Sequence, residues 1–366
     1  MTPKIYEIAL TTIPGIGNIL AKQLLNYFGS AENIFKASKS KLLKVPGIGE
    51  KITENILNNR HFEAAQAILE KTEREKVKLL FFTDKDYPTR LKTLIDAPLF
   101  LYYNGSVSLN ASKVIAIVGT RNATEYGRQA VEKLVCQLSQ IPDTVIVSGL
   151  AYGIDVIAHK AAMQHNIPTI GVVGHGIDMI YPASHKNIAK QMTENGGILT
   201  EYPFGTTAEP PHFPERNRII AGMSDAVIVI EAAIKGGALI TADIATSYNR
   251  EVFAVPGNIN EPYSEGCNNL IKKQAAHLIT DIEDLINILN WDNPQVISKA
   301  EVSIDTANFN EEELSIFNLL SHKEIHIDDL AFKTQIPVNR LASSLLSLEF
   351  GGYIKALPGK RYIRAK

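Results

Sequence analysis

The chain has 366 residues, 45% apolar and 21% charged, with 37 basic against 39 acidic side chains and a formal net charge of −2. That length allows two or three domains with a sizeable core, and the balance of residue types excludes wholesale disorder. Two cysteines cannot build a disulfide framework or a four-thiolate zinc site, no run of about 18 apolar residues offers a membrane span, and Met1-Thr2-Pro3-Lys4 begins no charged-then-apolar leader, so a soluble, cytoplasmic protein without a membrane partner is expected.

Residues 1–78 read as helices and carry 12 basic against 8 acidic residues. They contain an internal echo, Ile13-Pro14-Gly15-Ile16-Gly17 and Val45-Pro46-Gly47-Ile48-Gly49, 32 residues apart. Each copy precedes a helical pattern, Asn18–Phe28 and Glu50–Asn58. Glycines at a turn between helices let backbone N–H groups face a phosphate. The pattern resembles a helix-hairpin-helix motif, which grips nucleic-acid backbone without reading sequence. The first copy fits, with small Ala21 in the following helix. In the second, Thr53 replaces that small residue and Glu50 stands where an anion would approach. A tight turn between packed helices is the plain alternative.

From residue 79 to 291 strand-length apolar runs alternate with helical patterns. The strands are Val114–Val118, Thr144–Val147, Thr169–Val173, Ile198–Glu201, Ala226–Ile230 and Val252–Val255. The helices are Tyr126–Gln140, Gly153–Asn166, His185–Asn195, Pro214–Met223 and Ala238–Asn249. Near-continuous apolar strands with helices between them predict a parallel sheet covered on both faces, an α/β fold of the doubly wound, Rossmann-like kind. Residues 79–301 carry 17 basic against 23 acidic residues. Residues 292–310 are polar and weakly periodic and read as a linker. Residues 311–366 read as helices Glu311–Leu320, Ile327–Thr334 and Val338–Phe350. A hairpin follows, Tyr353–Leu357 turning at Pro358-Gly359 into Arg361–Arg364. That order predicts a winged helix, and residues 302–366 carry eight basic and eight acidic residues.

The chemistry sits in the middle segment. A strand ending in Val118-Gly119-Thr120-Arg121 before a helix is the usual phosphate end of a doubly wound sheet. No Gly-x-Gly-x-x-Gly and no Gly-x-x-x-x-Gly-Lys-Ser/Thr follows, so neither a dinucleotide enzyme nor a P-loop NTPase is supported. What remains is an anion site with Arg121 beside it, able to fork two phosphate oxygens. Ser148-Gly149-Leu150-Ala151-Tyr152-Gly153-Ile154-Asp155 gives a second glycine turn. Its Ser148, Asp155 and His159 invite a triad, but packing is the better account, with Asp155 and His159 in position to pair at i,i+4. His212-Phe213-Pro214-Glu215-Arg216-Asn217-Arg218 places an aromatic on a loop before arginines at a helix start, the pairing used for single strands; the alternative for Phe213 is a hydrophobic staple. Lys235-Gly236-Gly237 forms a third backbone-amide nest, and Thr241 could cap or bind an anion. Several nests along one strand edge fit an extended phosphodiester better than one mononucleotide. The histidines form no metal-binding pattern, so no metal or cofactor is expected.

These runs resemble the DNA-processing protein A (DprA/Smf) family. So do Asp178-Met179-Ile180-Tyr181-Pro182, Phe213-Pro214 through Ala221-Gly222, Leu239-Ile240-Thr241-Ala242, Val252-Phe253-Ala254-Val255-Pro256-Gly257 and Gly266-Cys267-Asn268 with Leu270-Ile271. The resemblance spans about 79–290. It implies an extended Rossmann-like domain that forms a homodimer, with an N-terminal helical and a C-terminal winged-helix-like module. It also implies binding of single-stranded DNA without sequence preference. In natural transformation, that function protects incoming DNA, displaces single-strand DNA-binding protein and helps load RecA, with no catalysis. By resemblance the DNA contacts are Gly119, Thr120, Arg121, Tyr152, Gly153, Phe213, Arg216, Asn217, Arg218, Lys235, Gly236 and Gly237. Tyr152 stands where family members often carry Arg or Lys. The alternative is an enzyme, a nucleotide-monophosphate phosphoribohydrolase of the lysine-decarboxylase-like group, whose glycine loop Lys235-Gly236-Gly237-Ala238 vaguely resembles. The terminal modules alone would suit a structural interaction protein. The expected recognition helix Val338–Phe350 has one basic residue, Arg340, so weak backbone or protein contact suits the winged helix.

Overall fold

The two Pro-Gly-Ile-Gly echoes become two turns, each packed against the helix that follows the other. The computed structural model describes residues 2–58, 62–291, 309–320, 325–351, 353–357 and 359–364. It opens with α1 (Pro3–Thr11), α2 (Asn18–Phe28), α3 (Ala31–Phe35), α4 (Lys39–Leu42), α5 (Glu50–Leu57) and α6 (Phe62–Arg74). Gly15 and Gly47 take φ of 89° and 82°, a region that side chains disfavour. Each turn presses on the opposite helix: a Cβ on Gly15 would touch Ile52 of α5 at 3.5 Å, and one on Gly47 would touch Leu20 of α2 at 3.5 Å. Thr53 is fully buried and turns its hydroxyl back to the Gly49 carbonyl at 3.0 Å, so the larger residue of the second copy is absorbed inside its own helix. Ile8, Leu10, Ile13, Leu24, Ile34, Leu42 and Ile56 form the core of these helices. That core runs on into Phe81, Leu99 and Phe100 of the segment that follows.

That segment contains β1 (Lys78–Phe81), α7 (Thr89–Lys92), β2 (Phe100–Gly105), β3 (Lys113–Gly119), α8 (Glu125–Leu138), β4 (Thr144–Ser148), α9 (Ile154–Gln164) and β5 (Thr169–Val172). A 3₁₀ turn, Ala183–His185, leads into α10 (Lys186–Met192) and β6 (Gly196–Thr200). Next come α11 (His212–Met223), β7 (Ala226–Ile230), α12 (Gly237–Ser247), β8 (Glu251–Ala254), α13 (Glu265–Lys272), β9 (His277–Leu278) and α14 (Ile282–Leu289). The sheet order is β1-β2-β6-β5-β4-β3-β7-β8-β9. From β6 to β9 every pair is parallel, as the alternation of strands and helices predicts. β1 and β2 are antiparallel additions at the β6 edge, absent from the sequence-based assignment. Only the four-residue α7 separates them, so they lack the strand–helix rhythm that betrays the parallel strands.

Both faces of the sheet are covered. Val114, Ala116 and Val118 of β3 join one core with residues of α11, α12 and α13, while Ile115 and Ile117 join a second with α8, α9 and α14. The alternation is the two-residue period of a strand. Among the described residues no helix is long and apolar enough to cross a membrane.

The chain divides into two compact units, Met1–Asp292 and Asn293–Lys366. Apart from Phe309 and Asn310, the linker read at 292–310 lies outside the described residues, as does Pro358 of the expected turn. The second unit contains α15 (Glu311–Leu319), β10 (Ile325–His326), α16 (Ile327–Thr334), α17 (Val338–Phe350), β11 (Ile354–Leu357) and β12 (Arg361–Arg364). Its three-stranded sheet has the order β10-β12-β11, the arrangement of a winged helix. Ile316, Phe317, Leu330, Leu341, Leu345 and Ile354 are its core. Arg340, the basic residue of α17, pairs with Glu312. Arg364 lies 3.8 Å over the Phe317 ring and donates to the Phe317 carbonyl at 3.0 Å.

Candidate nucleic-acid interface

β3 sits between β4 and β7. The chain leaves β3 for β4, β5 and β6 on one side, then crosses through α11 to β7 and β8 on the other. A reversal of this kind opens a crevice beyond the carboxyl ends of the strands. A cleft of about 500 Å³ lies there, walled by the end of β3, the first turns of α11 and the start of α12. Of the residues singled out from sequence, Gly119, Thr120, Arg121, Phe213, Arg216, Asn217, Gly236 and Gly237 line it. Tyr152 borders an adjoining hollow of about 100 Å³, shared with Arg121, Phe213 and Arg216. Lys235 is exposed immediately before the Gly236 rim. Thr241 also lines the cleft.

Two glycines bring the walls together. Gly119 ends β3 with no room for a side chain, because a Cβ would collide with the Ile230 carbonyl and with Ile154. Gly153, at φ 76° and ψ −129°, precedes α9, and a Cβ there would collide with the Thr120 carbonyl and the Arg121 backbone. Gly153 lies beneath Arg121 as a support. The Ile154 N–H donates to the Thr120 carbonyl at 3.1 Å and the Thr120 N–H donates to the Glu231 carbonyl at 2.7 Å, which pins the turn from both sides.

Arg121 is exposed, with its guanidinium 5.6 Å from the Phe213 ring centre. Phe213 lies 5.8 Å from the Tyr181 ring at an interplanar angle of 36°. Sequence reading placed Phe213 on a loop, but α11 begins at His212, so Phe213 and Pro214 are in its first turn. Proline is tolerated there because the first N–H groups of a helix lack intrahelical partners. The staple alternative is not what forms: the ring faces Arg121 and Tyr181. Sequence reasoning finds Tyr181 only within the family run Asp178-Met179-Ile180-Tyr181-Pro182. Its signal was an aromatic in the loop beyond β5, on the edge that gathers the cleft. His175 Nε2 accepts the Tyr181 N–H at 3.2 Å and holds that loop. Tyr152 packs edge-on to His185, with centroids 5.0 Å apart, and accepts a hydrogen bond from Ser184 at 3.3 Å.

The two arginines of α11 part company. Arg216 is buried on the cleft floor, 3.9 Å from the Asp155 carboxylate, and its Nε has no hydrogen-bond partner. Burial pushes the Asp155 carboxyl above its ordinary pKa, opposed by Arg216 and the Ala151 N–H. The guanidinium itself stays charged. Arg218 points away from the cleft: it pairs with Glu201 and donates to the Asp96 carbonyl at 2.6 Å. Its place in the expected groove is therefore corrected to a packing role, because the half-buried Glu201 carboxylate needs a counter-charge.

Ser148, Asp155 and His159 make no relay. Ser148 donates to the Ile117 carbonyl at 2.6 Å. His159 is fully buried, its Nδ1 accepting from the Thr169 hydroxyl at 2.7 Å and its Nε2 donating to the Gly149 carbonyl at 3.3 Å. The expected Asp155–His159 pair does not form, since Asp155 turns to Arg216.

A second correction concerns the start of α8, the expected phosphate end. It is occupied from within. The Glu231 carboxylate accepts the Thr124 N–H at 2.9 Å and the Thr124 hydroxyl, and Thr124 is the N-cap of α8. The glycine start of α12, Gly236-Gly237, remains open to the cleft, which Arg121 also lines. Among the described residues no three His, Cys, Asp or Glu side chains gather as metal ligands.

Residues 78–290 match the family described as DNA recombination-mediator protein A. Residues 7–59 match a SAM-like helix-hairpin-helix tandem and 303–360 the DprA winged helix domain. Protein Smf of Synechocystis sp. is 34% identical over 391 residues, covering 98% of each chain. The X-ray structure of DNA processing protein A from Streptococcus pneumoniae superposes with a TM-score of 0.67 at 34% identity, over 78% of this chain and 98% of that one. DNA processing protein A from Helicobacter pylori, whose structure was described for its single-stranded DNA binding mode, gives a TM-score of 0.54 at 33% identity over 59% and 97%. With a family match over more than half its length and a relative aligned nearly end to end, the chain belongs to the DNA recombination-mediator protein A (DprA/Smf) family.

Proposed function

We propose that this chain binds single-stranded DNA across the switch-point cleft. The observation that carries the reading is the exposed Arg121 guanidinium set 5.6 Å from the Phe213 ring at the cleft mouth. A cation and an aromatic at one rim serve backbone neutralisation and base stacking, which is how single strands are held without sequence preference. Gly119 and Thr120 with Gly153 beneath them, Asn217, Lys235 and the Gly236-Gly237 amides extend the path; Arg216 supplies a fixed charge from the floor; Tyr152 replaces a rim cation with a stacking surface. The Helicobacter pylori relative, described for its single-stranded DNA binding mode, supports this reading. Through family membership the function extends to DNA recombination during natural transformation. There the chain protects incoming DNA, displaces single-strand DNA-binding protein and helps load RecA, acting as a homodimer in the cytoplasm, with binding rather than catalysis as its work.

The test is a titration of the full chain with oligo-dT, matched duplex and AMP at several salt concentrations. The reading expects tight oligo-dT binding that falls steeply with salt. Absent or salt-independent oligo-dT binding sinks it, and release of ribose 5-phosphate from AMP would favour the phosphoribohydrolase alternative.

A further inference from the structure

A parallel sheet that reverses at β3 has two helix starts at its switch point, those of α8 and α12, and each is a natural seat for an anion. They are treated differently. The start of α12 is glycine and open to the cleft. At the start of α8, the Glu231 carboxylate already makes the contacts an anion would make. It accepts the Thr124 N–H at 2.9 Å and the Thr124 hydroxyl, in a residue that is only 4% exposed.

Three further observations make this a built feature. Glu231 holds φ at 54°, a left-handed conformation uncommon for a residue with a side chain. That conformation turns it back toward α8 directly after β7. Gly127, in the first turn of α8, leaves the space that the carboxylate fills, since any Cβ there would collide with it. The Glu231 carbonyl in turn accepts the Thr120 N–H at 2.7 Å, so the same residue that closes α8 also fixes the turn carrying Arg121.

We infer that Glu231 is the specificity-determining residue of the cleft, an internal anion that keeps mononucleotide phosphates off α8 and leaves the site to a polymer. This inference rests on the cleft being the single-stranded-DNA site. A mononucleotide binds a doubly wound sheet mainly through its phosphate on the first strand–helix turn. With that seat filled, a lone nucleotide keeps only the contacts of Arg121 and α12. An extended strand gathers the same contacts several times along its length, so it loses little.

The full chain is compared with Glu231→Gly and Glu231→Gln. Glycine removes the carboxylate and suits the left-handed backbone; glutamine keeps the shape and an acceptor for the Thr124 N–H. Inorganic phosphate should raise the Tm of Glu231→Gly and leave those of the wild type and Glu231→Gln unmoved. AMP should displace labelled oligo-dT from Glu231→Gly at a concentration at least about tenfold lower than from the wild type, a difference of about 1.4 kcal/mol. Equal AMP competition against folded Glu231→Gly and wild type overturns the inference. If the glycine variant fails to fold, the wild type decides: Thr124 and Gly127 backbone amide resonances should stay fixed through a phosphate titration, and their movement overturns it. Failure of the wild type to bind oligo-dT at all counts against the cleft reading instead, while the phosphate response of Glu231→Gly still reports on Glu231.

Discussion

At the scale of single residues, neighbours decide what each charge can do. Arg121 and Phe213 share the cleft mouth and are separable by salt. Arg121→Ala is expected to weaken oligo-dT binding by about 1–3 kcal/mol and reduce the salt slope by about 1. Phe213→Ala should cost about 1–3 kcal/mol per stacked base with the slope unchanged. Fluorescence titrations at four salt concentrations check both. Arg218 makes the opposite case. Removing it leaves the half-buried Glu201 without its partner, so Arg218→Ala should lower stability by about 1–3 kcal/mol in urea unfolding, while folded protein keeps its oligo-dT affinity. His159 sets a pH dependence. Burial lowers its pKa from 6.5 to about 4. The unfolded chain therefore binds the proton first, and stability present above pH 6.5 is lost as pH falls toward 4, by on the order of 3 kcal/mol. Asp155, raised by burial, acts in the opposite sense. The difference in pH slope between wild type and His159→Gln isolates the histidine, and an unchanged slope in the variant refutes the assignment.

At the scale of elements, the strand–helix turns were legible and their occupants were not. β7 and α16 fall where their apolar and periodic patterns predict, and α8, α9 and α12 within two residues. Such stretches carry the sheet and helix periods in the residues themselves. α11 starts two residues early because Pro214 reads as a first helical residue, yet any of the first positions tolerates it. β1 and β2 escaped because an antiparallel edge pair has no following helix to announce it. The β4–α9 turn offers a test at this scale. Gly153→Ala should destabilise the chain by on the order of 1–3 kcal/mol, from its glycine-only backbone, and displace Arg121. Thermal melting and oligo-dT titration should therefore both change; a variant with wild-type affinity would show that Arg121 does not depend on this support.

At the scale of the whole molecule, the net charge of −2 averages an N-terminal excess of basic residues against an acidic middle. The cleft lies in the acidic part, so its attraction for an anion comes from a few placed groups and from helix-start amides. It also lies wholly within the first compact unit. A chain of residues 1–292 is therefore expected to keep the oligo-dT affinity and salt slope of the full chain within about twofold, measured by the same titration. A larger loss would assign DNA contact to the winged-helix unit, where Arg340 already pairs with Glu312.

The sequence by itself determined the alternation of strands and helices, the paired glycine turns of the first helices, the winged-helix order and the resemblance that the family match bears out. These are local: period, turn residue and motif are written along the chain. Only the tertiary structure decided which cation reaches the cleft. Arg216 and Arg218 stand two residues apart at the start of one helix, yet one floors the cleft and the other pairs with Glu201, just beyond the end of β6. Likewise the glycine-ended β3 looked like a phosphate seat until Glu231, 107 residues from Thr124, was seen to fill it. Ion pairing and burial depend on distances across the fold, and no pattern along the chain encodes them.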